Sequence, residues 1–152
     1  MKNIPKQVIR LLVIEDNDKR IRRIWEWLPE GFHANFVKSA GRALGVLQLD
    51  GHQNYPDRPA YAGIMLDFDL HMQASVASDL DLSGKTVVEA IIRHMDKSIP
   101  VMVHSMNPTG APLMVRLLAQ AGFEVLRISW DHLEKEKFLE WLAEVRENWL
   151  DW

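Results

Sequence analysis

The chain has 152 residues, a length that suits one domain, and 47% of them are hydrophobic, which is enough to bury a substantial core. The formal net charge of -3 and the scattered basic residues give no general reason to expect direct DNA binding. The absence of cysteine excludes disulfides, thiolate nucleophiles and zinc–thiolate sites, and it fits a reducing compartment. Charged residues interrupt the first apolar run, so a signal peptide or membrane span is disfavoured. We therefore predict a soluble, cytoplasmic protein with no membrane association.

The first half of the chain alternates short apolar runs with helical patterns. A strand at 11–14 is followed by a helix that stops at Pro29, and residues 35–37 form a short strand before a helix that runs from Ser39 to near Gly51. A loop at about 51–61 then leads to the apolar run that begins at Gly63. The apolar face of the first helix is predicted to consist of Ile21, Ile24, Trp25 and Leu28, with Asp16, Asn17 or Asp18 as its cap.

The second half continues the alternation after another long loop, at about 71–83. A helix is predicted over 85–95, a strand over 101–103 and a helix from Pro112 to Gly122. A last strand at 125–128 and a closing helix at roughly 133–149 complete five strand–helix units.

Five strand–helix units with short crossovers predict an α/β fold with right-handed connections. We predict one doubly wound domain over residues 1–152, with a five-stranded parallel sheet in the order 2-1-3-4-5 and helices on both faces. The two long loops are insertions, and no output domain is expected in this chain.

Carboxylates follow two of the predicted strands at the point where each strand ends. Glu15 and Asp16 follow the first strand, and Asp67 and Asp69 follow the third. In the predicted sheet these strands are neighbours, so the four acids share one rim. Crowded carboxylates raise one another's pKa unless a cation lies among them, and an open rim of this kind suits Mg²⁺. The alternative interpretation is that the acids are helix caps and solvated loop residues.

The strand at 101–103 ends in polar residues that could act on a phosphate. Ser105 could donate a hydrogen bond to a phosphate oxygen, and main-chain N–H groups from Asn107 to Gly110 could hold an anion at a helix start. His104 could serve as a general acid or base, because its ordinary pKa lies near neutrality. Serine and asparagine are also common in turns without any function, and a lone histidine is more often structural.

Several short motifs occur in a fixed order along the chain: the run at 13–17, Leu66-Asp67, Ser105 and Ala121-Gly122. Together, from about Arg10 to the last helix, they resemble the response-regulator receiver domain. The resemblance implies that Glu15 and Asp16 form the acidic pair at a magnesium ion. It also implies that Asp67 is the phospho-acceptor and a metal ligand, and that the main-chain carbonyl of Asp69 is a further ligand.

One element of the receiver pattern is absent. Receivers place a lysine before a proline at the end of the fifth strand, and Ser129 occupies that position here. Arg127, two residues earlier on the same side of the strand, is the candidate for the missing positive charge at the phosphate.

The turn His104-Ser105-Met106-Asn107-Pro108-Thr109-Gly110 is similar to that of the divergent family of cyclic-phosphate-processing receivers. Members also carry an Asp-His-Asp-Leu strand end, and here Phe68 stands in place of the histidine. The resemblance implies a magnesium-supported site for a phosphate ester, with His104 and Asn107 beside the receiver acids.

Two functions follow as expectations. The first is a stand-alone, non-standard receiver domain that meets a phosphoryl donor at a Mg²⁺-dependent site on Asp67. The alternative is a phosphoesterase that acts on cyclic phosphates at the same metal site, with His104 as acid or base.

The closing helix carries a wide apolar stripe. The stripe either packs in the core or forms a surface for a protein partner or for self-association. Its residues are Phe138, Trp141, Leu142, Val145 and Trp149.

Overall fold

The computed structural model of the chain describes residues 8–50, 59–70 and 77–152. Its five strands form one parallel sheet in the order β2-β1-β3-β4-β5, which confirms the predicted doubly wound topology. The strands are β1 (Ile9–Ile14), β2 (Phe32–Val37), β3 (Gly63–Leu66), β4 (Val101–Val103) and β5 (Val125–Arg127).

Helices follow the strands in the predicted alternation. They are α1 (Asp18–Trp27), α2 (Ala40–Asp50), α3 (Ala77–His94), α4 (Gly110–Gln120) and α5 (Lys135–Leu150), and a short 3₁₀ helix lies at Trp130–His132. The helix α3 begins at Ala77, inside the loop predicted at 71–83, because a helix can extend beyond the apolar residues whose spacing predicts it. Residues 71–76 of that loop, and 51–58 of the earlier one, lie outside the described residues.

The core lies on both faces of the sheet because successive side chains of each strand point to opposite sides. In β1, Leu12 and Ile14 belong to one hydrophobic cluster, and Leu11 and Val13 belong to the other. The first cluster includes residues of α2, α3 and α4, and the second includes residues of α1 and α5. In the part of the chain that the structure describes, no helix is long and apolar enough to cross a membrane.

In the second cluster, the structure decides between the two alternatives for the α5 stripe and changes the predicted inner face of α1. All five residues of the α5 stripe are buried in the core, so those side chains are not available as the partner surface considered above. In α1, Trp25 is 66% exposed, whereas Trp27 packs against the second cluster. The helix is therefore rotated relative to the predicted face, and Ile24 is its one fully buried residue.

Register brings the polar strand ends together. Ile14 pairs with Leu66, and Leu66 pairs with Val103, so the residues that follow these three positions lie side by side at the carboxyl edge of the sheet. Those residues are Glu15, Asp67 and His104.

Candidate functional site

Three carboxylates form a compact cluster at the carboxyl edge. Oxygen atoms of Glu15, Asp16 and Asp67 all lie within 4.8 Å of one another, and all three residues are buried. Carboxylate oxygens are the ligands that hard cations prefer, and a buried cluster of three needs positive charge to be stable. The chemistry of these donors fits Mg²⁺.

Glu15 is held by a buried histidine. Its Oε1 lies 3.1 Å from Nε2 of His104, its Oε2 accepts a hydrogen bond from the main-chain N–H of Asp16, and Glu15 and His104 are both fully buried. Burial by itself raises the pKa of Glu15, but the hydrogen bond and charge of His104 outweigh it and lower the pKa to about 2. Glu15 is therefore an anion at neutral pH.

The pKa of Asp67 is shifted in the opposite direction from that of Glu15. Burial, followed by the negative charge of Glu15, raises the pKa of Asp67 to about 8, and Arg20 only partly offsets this effect. Nη1 of Arg20 lies 3.7 Å from Oδ2 of Asp67 and 3.4 Å from Oε1 of Glu15. At neutral pH these two shifts favour a proton on Asp67 beside an ionised Glu15.

Asn107 ties the β4–α4 turn to the end of β3. Its Oδ1 accepts hydrogen bonds from the N–H groups of Thr109 at 3.0 Å and Gly110 at 2.6 Å, and its Nδ2 donates to Oδ1 of Asp69 at 3.0 Å. Its own N–H donates to Oγ of the fully buried Ser105. Ser105 is thus tied to the turn, while the side chain of Asp69 is hydrogen-bonded to Asn107 and is not one of the three clustered carboxylates.

The glycine of the turn has a steric role. A Cβ at Gly110 would lie 2.4 Å from ring atoms of Phe68, and one at Gly84 would lie 2.6 Å from the same ring. Because Phe68 is buried between α3 and α4, only glycine fits at these positions. The N–H of Gly110 was predicted to bind phosphate, but here it already donates to Asn107.

The structure adds two residues that the sequence analysis did not select. Arg20 is a cation in contact with Glu15 and Asp67, and its guanidinium carbon lies 5.5 Å from the ring centroid of Trp130. Arg127, the predicted cation, is exposed at the end of β5. The sequence did contain a signal for Arg20. The helix dipole disfavours a basic residue in the first turn, so an arginine at this position indicates that acidic groups lie nearby.

A doubly wound sheet with a buried acidic cluster at its carboxyl edge defines a receiver-type α/β domain. A family model described as the cyclic-phosphate processing receiver domain matches residues 10–120. The chain belongs to this family. No curated protein sequence matches the chain.

Solved structures with the same fold include receivers of several bacteria. A sensor protein from Polaromonas sp. JS666 is 23% identical, with a TM-score of 0.61, over 92% of this chain and 97% of that one. The receiver domain of a sensor histidine kinase from Pseudomonas aeruginosa, which has a magnesium ion coordinated in its active-site cleft, is 17% identical, with a TM-score of 0.59, over 95% and 99%. A phosphorylated cyanobacterial phytochrome response regulator is 21% identical, with a TM-score of 0.59, over 94% of each chain. At these identities the likeness establishes the fold alone.

Proposed function

We propose that this chain is a non-standard receiver domain in which Asp67 accepts a phosphoryl group in a Mg²⁺-dependent reaction. The observation that carries the proposal is the buried cluster of Glu15, Asp16 and Asp67, with a cation, Arg20, in contact with two of its members. A nucleophilic carboxylate, anionic neighbours and a cation at one sheet edge are the groups that phosphoryl transfer to a carboxylate needs.

The transfer is an in-line substitution at phosphorus. An ionised oxygen of Asp67 attacks the phosphorus atom of the donor, and the new O–P bond forms while the bond to the donor's bridging oxygen breaks. That oxygen leaves with the bonding electron pair, so acetyl phosphate would yield acetate and an acyl phosphate on Asp67. Because burial raises the pKa of Asp67, the carboxyl must lose its proton before it can attack.

The side chains of Glu15, Asp16 and Asp67, with the main-chain carbonyl of Asp69, would hold the metal. When bound, Mg²⁺ supplies positive charge that ionises the carboxyl and offsets the charge of the phosphoryl oxygens. His104 keeps Glu15 ionised and in place. Ser105 would donate its hydroxyl to a phosphoryl oxygen, and Asn107 positions Ser105 through its main-chain N–H.

Acetyl phosphate tests the proposal directly. With Mg²⁺, intact-protein mass spectrometry should show one added phosphoryl group on the wild type and none on Asp67→Asn. Asp18→Asn is the matched control, because Asp18 is a solvent-exposed acid of α1 that pairs with Lys38, and this variant should behave like the wild type. A wild type that gains no phosphoryl group, or an Asp67→Asn variant that gains one, would refute phosphorylation at this site.

A second candidate function is hydrolysis of a cyclic phosphate, which the family match and the complete turn from His104 to Gly110 favour. Water would attack phosphorus, one P–O bond of the ring would break, and the released oxygen would take a proton to give a phosphomonoester. His104 would move that proton, but it is fully buried and its Nε2 is bound to Glu15. The position of His104 therefore favours a role in orienting Glu15 over direct contact with a substrate.

The assay for this activity is the opening of a 2′,3′-cyclic phosphate by the wild type and by His104→Gln. If His104 is the acid or base, turnover should fall roughly 100-fold or more while magnesium affinity is nearly unchanged. If His104 only orients Glu15, turnover and magnesium affinity should both fall in His104→Gln. No turnover in the wild type would remove the hydrolase candidate.

A further inference from the structure

The side chain of Arg20 crosses from α1 to the acidic cluster. It is only 17% exposed, and one nitrogen, Nη1, contacts both Glu15 and Asp67. The two distances, 3.4 and 3.7 Å, are longer than those of a tight bidentate pair. Among the described residues, Nη1 alone carries these contacts, so a guanidinium with five N–H donors has others that could meet a new anion without leaving Glu15.

An aromatic stack supports the guanidinium. Its carbon lies 5.5 Å from the ring centroid of Trp130, and Trp130 stacks on Trp27 with centroids 6.0 Å apart and an interplanar angle of 25°. Trp27 in turn lies 5.7 Å from the ring of Phe138, which is fully buried. Because the stack is anchored in the core, it restricts the rotamers of Arg20 and holds its charge at the site before any ligand arrives.

A phosphoryl group on Asp67 would add negative charge beside Glu15 and Asp16, and the planar fork of an arginine matches phosphate oxygens. We propose that Arg20, held by Trp130, is the phosphoryl-binding cation of this domain. The role falls to Arg20 rather than to Arg127, which is exposed at the end of β5. This inference rests on the proposed phosphorylation of Asp67. Arg20 lies outside the sequence motifs on which that proposal was based.

Arg20 should have opposite effects on the two ligands of the site, the phosphoryl group and Mg²⁺. It attracts phosphoryl oxygens, but it repels Mg²⁺ and competes with the metal for Glu15 and Asp67. Loss of its charge should therefore weaken binding of a phosphoryl mimic and strengthen binding of the metal. A residue that merely maintains the fold of the site would affect both in the same direction.

The experiment compares wild type, Arg20→Gln and Arg20→Lys, with Arg22→Gln as the matched control, since Arg22 is an exposed arginine of the same helix. The affinity for Mg²⁺ is measured by calorimetry. The affinity for beryllofluoride, a tetrahedral mimic of a carboxylate-bound phosphoryl group, is then measured at saturating Mg²⁺ through tryptophan fluorescence. Circular dichroism confirms that each variant is folded.

In Arg20→Gln we expect beryllofluoride affinity to fall roughly 10- to 100-fold, the usual effect of losing a charge-assisted hydrogen bond. We expect magnesium affinity to rise about threefold or more, because a repelling charge is removed. Arg20→Lys should recover part of the beryllofluoride affinity, and Arg22→Gln should change neither.

If Arg20→Gln binds beryllofluoride as tightly as the wild type does, the role of Arg20 is overturned and the proposed function stays intact. A parallel loss of magnesium and beryllofluoride binding would also overturn it, because it would indicate a structural role. A wild type that binds magnesium but no beryllofluoride would refute the proposed function, and the inference with it.

Discussion

Competition between magnesium and a proton at Asp67 follows from the electrostatics of the acidic cluster. Burial and the negative charge of Glu15 raise the pKa of Asp67 to about 8, whereas Glu15, with a pKa of about 2, is already ionised. A metal ligand must be deprotonated, so below the pKa of Asp67 each bound ion has to displace one proton. The apparent affinity should then be about 100-fold weaker at pH ~6 and about 10-fold weaker at pH ~7 than at high pH.

Isothermal titration calorimetry from pH ~6 to pH ~9 measures this dependence. The affinity for Mg²⁺ should rise with pH up to the pKa of Asp67 and then level off. Titration in two buffers of different ionisation enthalpy should show release of close to one proton per ion below that pKa. Asp67→Asn removes the titrating group, so whatever affinity remains should be nearly independent of pH. Equal wild-type affinities at both ends of the range, or binding without proton release, would show that Asp67 is not a protonated ligand.

Three further predictions concern how the site is held. Gly110→Ala should destabilise the protein by about 1–3 kcal/mol in urea unfolding, because the new Cβ would overlap the ring of Phe68. Gly45→Ala, in open space within α2, should instead stabilise it by about 0.5–1 kcal/mol, and equal effects of the two changes would contradict the steric argument. His104→Ala removes a buried hydrogen-bonding partner of Glu15 and should cost about 3 kcal/mol or more; an unchanged midpoint would mean that the pair is not buried in solution. Asn107→Ala removes the acceptor for two N–H groups of its turn, so we expect a loss of about 1–2 kcal/mol in thermal unfolding, and a neutral result would show that these bonds are replaced by water.

Local patterns were sufficient for the architecture and for the acids of the candidate site. The strands β1 and β3 are short apolar runs that end in carboxylates, and the alternation with helices leaves few topologies for a parallel sheet. Once the strand order is known, Glu15 and Asp67 must lie at the same edge, because the carboxyl ends of parallel strands meet there. These conclusions depend on chemistry within a few residues of each strand end, which is information that a sequence carries directly.

Other features depended on the tertiary structure. Arg20 and Trp130 are far apart in the chain, and their contact depends on the rotation of α1 and on the path of the chain after β5. The same holds for the burial of His104 against Glu15 and for the overlap that makes Gly110 necessary beside Phe68. Helical spacing placed Trp25 on the inner face of α1, but packing turned it to solvent. Periodicity defines a face only to within one residue position, whereas the contacts that position a cation or a ring are decided by the close packing of side chains from distant segments.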